Sequence, residues 1–255
     1  MAGQHGKFVW YELMTTDPKA AAAFYEKVFG WRMTGEGYVH VNVGDRSIGG
    51  MMELPKHLCD IGVHPHWGGY IAVDDVDVYA QKVAAAGGKV HKAPADIPDV
   101  GRFAVVADPD GAAFMIFQDT AHAPAPPRPP MGTPGFVDWH ELYGGEPQAA
   151  LDFYAGLFGW TAGDALDMGP DTGTYQIFHI DGVPSGGLMK KVPEMPAPMW
   201  LYYVAVDDID AARARVVENG GVSILGPMEV PGGMWIVQAL DPQKALFAMV
   251  GPKKT

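Results

Sequence analysis

The chain holds a single cysteine, Cys59, which excludes an intramolecular disulfide and any metal centre built from cysteines alone. One unpaired thiol fits a reducing compartment, so a cytoplasmic location is expected. Long hydrophobic runs are also missing. No segment nears the roughly 18 apolar residues of a membrane span, and Met1–Lys7 lacks the charged and apolar regions of a secretory signal. Basic residues are scarce as well: 18 Lys and Arg against 30 Asp and Glu give a formal charge of −12 and a pI near 5.0. Phosphate binding needs a basic stripe that displaces counterions, and none is present. Neither nucleic acid nor a membrane is an expected partner, and the acidic balance reads as solubility.

What is abundant is repetition. The chain has 255 residues, 48% of them hydrophobic, which suits two domains with a core each. Trp10-Tyr11-Glu12-Leu13 returns as Trp139-His140-Glu141-Leu142, and Phe24-Tyr25…Phe29-Gly30-Trp31 returns as Phe153-Tyr154…Phe158-Gly159-Trp160, both at an offset of 129. Tyr38 with Gly49-Gly50-Met51-Met52 matches Tyr175 with Gly186-Gly187-Leu188-Met189 at 137, so the second copy gains eight residues around Asp164–Gly173. The offset then becomes 133 for Trp67…Val73-Asp74-Asp75-Val76-Asp77 against Trp200…Val206-Asp207-Asp208-Ile209-Asp210, and for Asp108-Pro109 against Asp241-Pro242. Residues 1–118 and 136–255 are therefore expected to be two copies of one domain. Between them, 119–135 is a linker carrying Pro124, Pro126, Pro127, Pro129, Pro130 and Pro134, a composition that favours extended chain.

Within each copy the hydrophobic period switches. Phe8–Leu13 reads as a strand, Asp17-Pro18 opens a helix, and Tyr38–Val43 with Ser47–Met52 reads as a hairpin. Trp67–Val73 begins a second strand–helix pair whose helix is capped by Asp75 and ended by Gly87-Gly88, and three strands follow. The order is β-α-β-β-β, twice per domain and four times per chain.

This order, together with the Asp17-Pro18, Val73-Asp74-Asp75 and Asp108-Pro109-Asp110-Gly111 motifs and their copies, resembles the vicinal oxygen chelate superfamily of glyoxalases, bleomycin-resistance proteins and extradiol dioxygenases. The resemblance implies an α+β fold of two tandem domains, each a pair of βαβββ units forming a cup-shaped sheet. It also implies a divalent metal held by His and Glu inside the cup, with positions left open for vicinal oxygens. Carried over residue by residue, those ligand positions fall on Trp10, Gly68 and Met115, and on Trp139, Leu201 and Ala248 in the second copy. None of these is an ordinary metal ligand. The metal is thus expected to be absent in its usual form, with no other cofactor. Glu53 stands near the remaining position, and with His57, His64 and His66 it leaves an unorthodox metal site open.

Strand alternation supplies other candidates, because side chains two apart share a face. If Trp10 and Trp139 face the cup, so do Glu12 and Glu141, which become the candidate proton-transfer groups or ligand-binding acids, with a satisfied structural acid as the alternative. Tyr70 and Met115, with Trp139 and Tyr203, join Trp10 as candidate ligand contacts. His40, His140 and His179 are expected on the outer or helix-covered face. The reading is a protein that binds a small organic molecule without the family's metal, with catalysis left open. The alternative is a metal-dependent lyase or isomerase, or a dioxygenase, of the same superfamily. A monomer and a homodimer both fit.

Overall fold

The computed structural model describes residues 3–120, 127–170, 172–193 and 195–254. The first copy runs β1 (Phe8–Thr15), α1 (Pro18–Phe29), β2 (Arg32–Thr34), β3 (Val39–Val43), β4 (Arg46–Glu53), α2 (Lys56–Asp60), β5 (His66–Ala72), α3 (Val76–Ala85), β6 (Lys89–Ile97), β7 (Gly101–Ala107) and β8 (Ala113–Asp119). The second runs β9 (Val137–Gly144), α4 (Pro147–Phe158), β10 (Thr161–Asp167), β11 (Thr174–Ile180), β12 (Val183–Lys190), β13 (Met199–Ala205), α5 (Ile209–Glu218), β14 (Val222–Val230), β15 (Met234–Leu240) and β16 (Leu246–Gly251). The fold is α+β with two tandem sheet domains. Each copy makes one eight-stranded sheet, in the orders β2-β3-β4-β1-β5-β8-β7-β6 and β10-β11-β12-β9-β13-β16-β15-β14. The eight-residue insertion lengthens β10 relative to β2. Of the linker prolines, Pro124 and Pro126 lie outside the described residues, and residues 127–136 form no helix or strand.

Local signals account for the helices. Asp17 caps α1 by accepting from the Ala20 N–H at 2.9 Å, and Gly30 ends it at φ 71°. Asp75 caps α3 through the Val78 N–H at 3.0 Å, and Asp208 caps α5 through the Asp210 N–H at 3.0 Å.

The compact units cut across the repeat. One unit comprises residues 10–68, 128–139 and 201–255, and the other 1–9, 69–127 and 140–200. Each unit thus takes one βαβββ half from each copy. In the first of these, Leu13, Val41 and Met51 of the sheet pack with Phe24, Tyr25 and Val28 of α1, and Val237, Phe247 and Met249 join the same core with Val216 of α5. In the other, Ala104, Val106, Phe114 and Ile116 are fully buried beneath α3. Alternation then assigns the opposite faces. Trp10 and Glu12 point away from α1, and Phe103, Val105, Met115 and Phe117 point away from α3.

Candidate functional site

The pairing of β1 with β4 places Glu12 opposite Gly50, and the β3–β4 hairpin places His40 opposite the same glycine. Directly paired residues share a face, so Glu12, Gly50 and His40 stand together on the side away from α1. This corrects the expectation for His40, which lies on the face opposite Val39, Val41 and Val43. Glu12 is only 7% exposed and accepts a hydrogen bond on Oε2 from the Tyr38 hydroxyl at 2.9 Å. That hydroxyl in turn accepts from the Trp10 indole N–H at 3.0 Å. Burial, with the negative Glu12 behind it, pushes the Tyr38 phenol well above its usual range, so Tyr38 stays a donor. The glycine makes the contact possible. A Cβ on Gly50 would collide with the Tyr38 Oη and Cζ, because the ring lies across the strand at that residue.

The second copy repeats the device with one addition. Glu141, also 7% exposed, pairs with Gly187 and accepts from Tyr175 at 2.9 Å on Oε1 and from Tyr143 at 2.5 Å on Oε2. The Tyr175 ring crosses Gly187 as Tyr38 crosses Gly50. Tyr143 has no phenol counterpart in the first copy, where Met14 takes its place. His140 lies on the opposite face, stacked on Phe8 with ring centroids 4.1 Å apart and its Nδ1 2.8 Å from the Ser185 carbonyl. His179 follows the face of Ile177, since a Cβ on Gly163 would meet both side chains. It too departs from the expected outer face, past a register shift between Phe178 and His179.

Of the other candidates, Tyr70 is buried and sits opposite Met115 in the β5–β8 pairing, in the compact unit that does not contain Glu12. Tyr203 is buried opposite Ala248 and accepts from Gln238 Nε2 at 2.9 Å. Trp139 is half-buried two residues before Glu141. Tyr38, Tyr175 and Tyr143 were not singled out by sequence. The signal for the first two was there, because Tyr38 and its glycine pair keep one offset of 137 to Tyr175 and its own.

The side chains at the family's metal positions do not fit a divalent cation. Trp10 directs an N–H donor, not a lone pair, at Tyr38. Lys190, which stands where the first copy has Glu53, is itself a cation, paired with Glu146 at 2.5 Å. Among the described residues no group of three or more His, Cys, Asp and Glu side chains is gathered, and Glu53, His57, His64 and His66 are not brought together as one. A cavity of about 20 Å³ in the core beneath α1, walled by Tyr11, Tyr25, Trp31, Trp67 and Phe247, has room for one water-sized body and no organic ligand.

The Asp-Pro motifs have a different task. Asp108 Oδ1 accepts the N–H groups of Asp110, Gly111 and Ala112 at 3.1, 2.9 and 2.8 Å, and Oδ2 accepts from Tyr154 at 3.1 Å, whose hydroxyl accepts from the Trp200 indole at 3.0 Å. Asp241, Tyr25 and Trp67 repeat the chain at 3.1 and 2.9 Å. These buried acids bolt a turn of one copy to a helix of the other.

The model of the Glyoxalase/Bleomycin resistance protein/Dioxygenase superfamily matches residues 7–116 and 136–249. The chain belongs to this superfamily. It is 33% identical over 252 residues to the Mycobacterium bovis protein named "Putative glyoxylase CFP32", spanning 95% of this chain and 94% of that one. It is also 33% identical over 264 residues to the anthracycline biosynthesis protein DnrV of Streptomyces peucetius, spanning 96% and 93%. Among solved structures, the Mn(II)-bound glyoxalase of Novosphingobium aromaticivorans superposes with a TM-score of 0.67 at 17% identity, over 98% of this chain and 83% of that one. The 2,3-dioxygenase LapB of Pseudomonas sp. KL28 does so with 0.64 at 16%, over 96% and 91%. At such identities these two are likenesses of fold. Among the described residues no helix is long and apolar enough to cross a membrane.

Proposed function

We propose that the protein binds a small organic molecule on the faces that carry Glu12 and Glu141, with the carboxylate–phenol pair doing the recognition that a metal does elsewhere in the superfamily. The observation that carries this is the repetition of the pair. Two acids at matching positions are each buried, each bonded to a tyrosine, and each tyrosine is laid across a glycine that serves no other turn or bulge. A ligand hydroxyl that donates to the carboxylate beside the phenol forms a charge-assisted hydrogen bond away from water, where it is stronger than in bulk. In a reaction, the same carboxylate is the group placed to take a proton from a bound C–H or O–H. The names of the two relatives support a small-molecule role, one as a glyoxylase and one in making an anthracycline.

The test uses 2-(hydroxymethyl)anthraquinone, a neutral aromatic alcohol, titrated against tryptophan fluorescence. Saturable binding is expected, with Glu12→Gln and Glu141→Gln together weakening it about tenfold, the loss of one charge-assisted bond, and with the melting temperature nearly kept. Unchanged affinity in that double variant, or no binding by the native protein, contradicts the reading.

A further inference from the structure

The face of the first copy that points away from α3 carries three aromatic rings, Tyr70, Phe103 and Phe117, of which its counterpart in the second copy keeps one, Tyr203. Phe103 pairs with Phe117, Val105 with both Met115 and Lys92, and Met115 with Tyr70, so all of these side chains share one face. Tyr70 lies 6.2 Å from Phe103 and 6.2 Å from Phe117, ring centre to ring centre. Phe117 is laid flat by Gly101, where a Cβ would stand 2.7 Å from its ring carbons. Phe103 and Phe117 are only half-buried, so their surfaces are open to a ligand. The Lys92 ammonium sits 4.4 Å from the Phe103 ring centre. At the offset of 133 the second copy replaces Lys92, Phe103 and Phe117 by Leu225, Ile236 and Val250, and puts Gln238, bonded to Tyr203, where Val105 stands.

We infer that this wall is a ligand subsite for a planar aromatic anion, with Phe103 and Phe117 taking the rings and Lys92 the charge. The inference rests on the small-molecule reading above and adds a ligand class for this wall. Half-buried rings offer stacking surface that needs no directional partner. A lysine held against a ring keeps its charge next to that surface while the ammonium stays hydrated. The sign is diagnostic. A chain of net charge −12 repels anions as a whole, so preference for an anion over its neutral analogue has to come from a local cation.

The experiment compares anthraquinone-2-sulfonate with 2-(hydroxymethyl)anthraquinone on the full chain at low ionic strength. The native protein is expected to bind the sulfonate about five- to tenfold more tightly, a preference that shrinks in salt because Lys92 is exposed. Lys92→Gln should bring the two affinities within about twofold, while Lys92→Arg restores the preference. Phe103→Leu should weaken both probes. Equal affinities in the native protein, no binding of either probe, or a preference that survives Lys92→Gln overturns the subsite. The neutral probe's response to Glu12→Gln and Glu141→Gln reports separately on the carboxylate sites, so loss of one claim is distinguishable from loss of the other.

Discussion

A carboxylate that keeps only 7% of its surface in solvent, as Glu12 and Glu141 do, must find donors that replace water, since an unpaired buried charge costs several kcal/mol as an order of magnitude. Tyr38, Tyr143 and Tyr175 are such donors, and the glycines decide whether two of them arrive. Gly50→Ala is therefore expected to push the Tyr38 ring aside, break its bond to Glu12 and destabilise the protein by about 1–3 kcal/mol. Tyr38→Phe, which keeps the ring and loses the hydroxyl, should lower stability by a smaller amount, about 1–2 kcal/mol. Denaturant titration of the two variants checks the order, and a Gly50→Ala protein as stable as the native one would show that the ring is not held there. That Glu12 shares a face with Trp10, and Glu141 with Trp139, was legible in the sequence, because side chains two apart in a strand point the same way. The contacts of the tyrosines were not. Their reach depends on a neighbouring strand, and nothing local in Tyr38 states that it crosses Gly50.

At the scale of the element, the caps and periods of α1, α3 and α5 and the strand order of each βαβββ half followed from the sequence, since they rest on short-range signals such as Asp17-Pro18 and Asp75. The Asp-Pro motifs were visible only as markers. Their bonds to Tyr154 and Tyr25 join segments 46 and 216 residues apart, a pairing that no spacing reveals. These acids also carry a pH signature. Burial raises the Asp108 and Asp241 carboxyls above their usual value, against the pull of their backbone and tyrosine hydrogen bonds. With the folded value above the unfolded one, the stability they contribute is fully present below about pH 4, the ordinary carboxylate value, and is lost as pH rises through the raised value. Asp108→Asn has no such titration. The melting temperature of the native protein, measured relative to this variant, should fall as pH rises above about 4, and a gap that widens instead would mean that the hydrogen bonds, not burial, set the balance.

The whole molecule is a duplicated sheet whose compact units each draw one half from either copy. The repeat was plain in the sequence, but the exchange of halves was not, because it depends on which helix faces pack and not on where the copies begin. The copies have diverged at matching positions, with Lys92, Phe103 and Phe117 in one and Leu225, Ile236 and Val250 in the other, while the Glu–Tyr–Gly device is kept in both. On the proposed reading this device, and not a divalent metal, recognises the ligand. Titration of 2-(hydroxymethyl)anthraquinone against the native protein before and after exhaustive dialysis with EDTA, beside the Glu12→Gln/Glu141→Gln double variant, separates the two. The expected result is an affinity unchanged by EDTA and lowered about tenfold in the variant. Binding abolished by EDTA and restored by Mn(II), with the variant indistinguishable from the native protein, would contradict it.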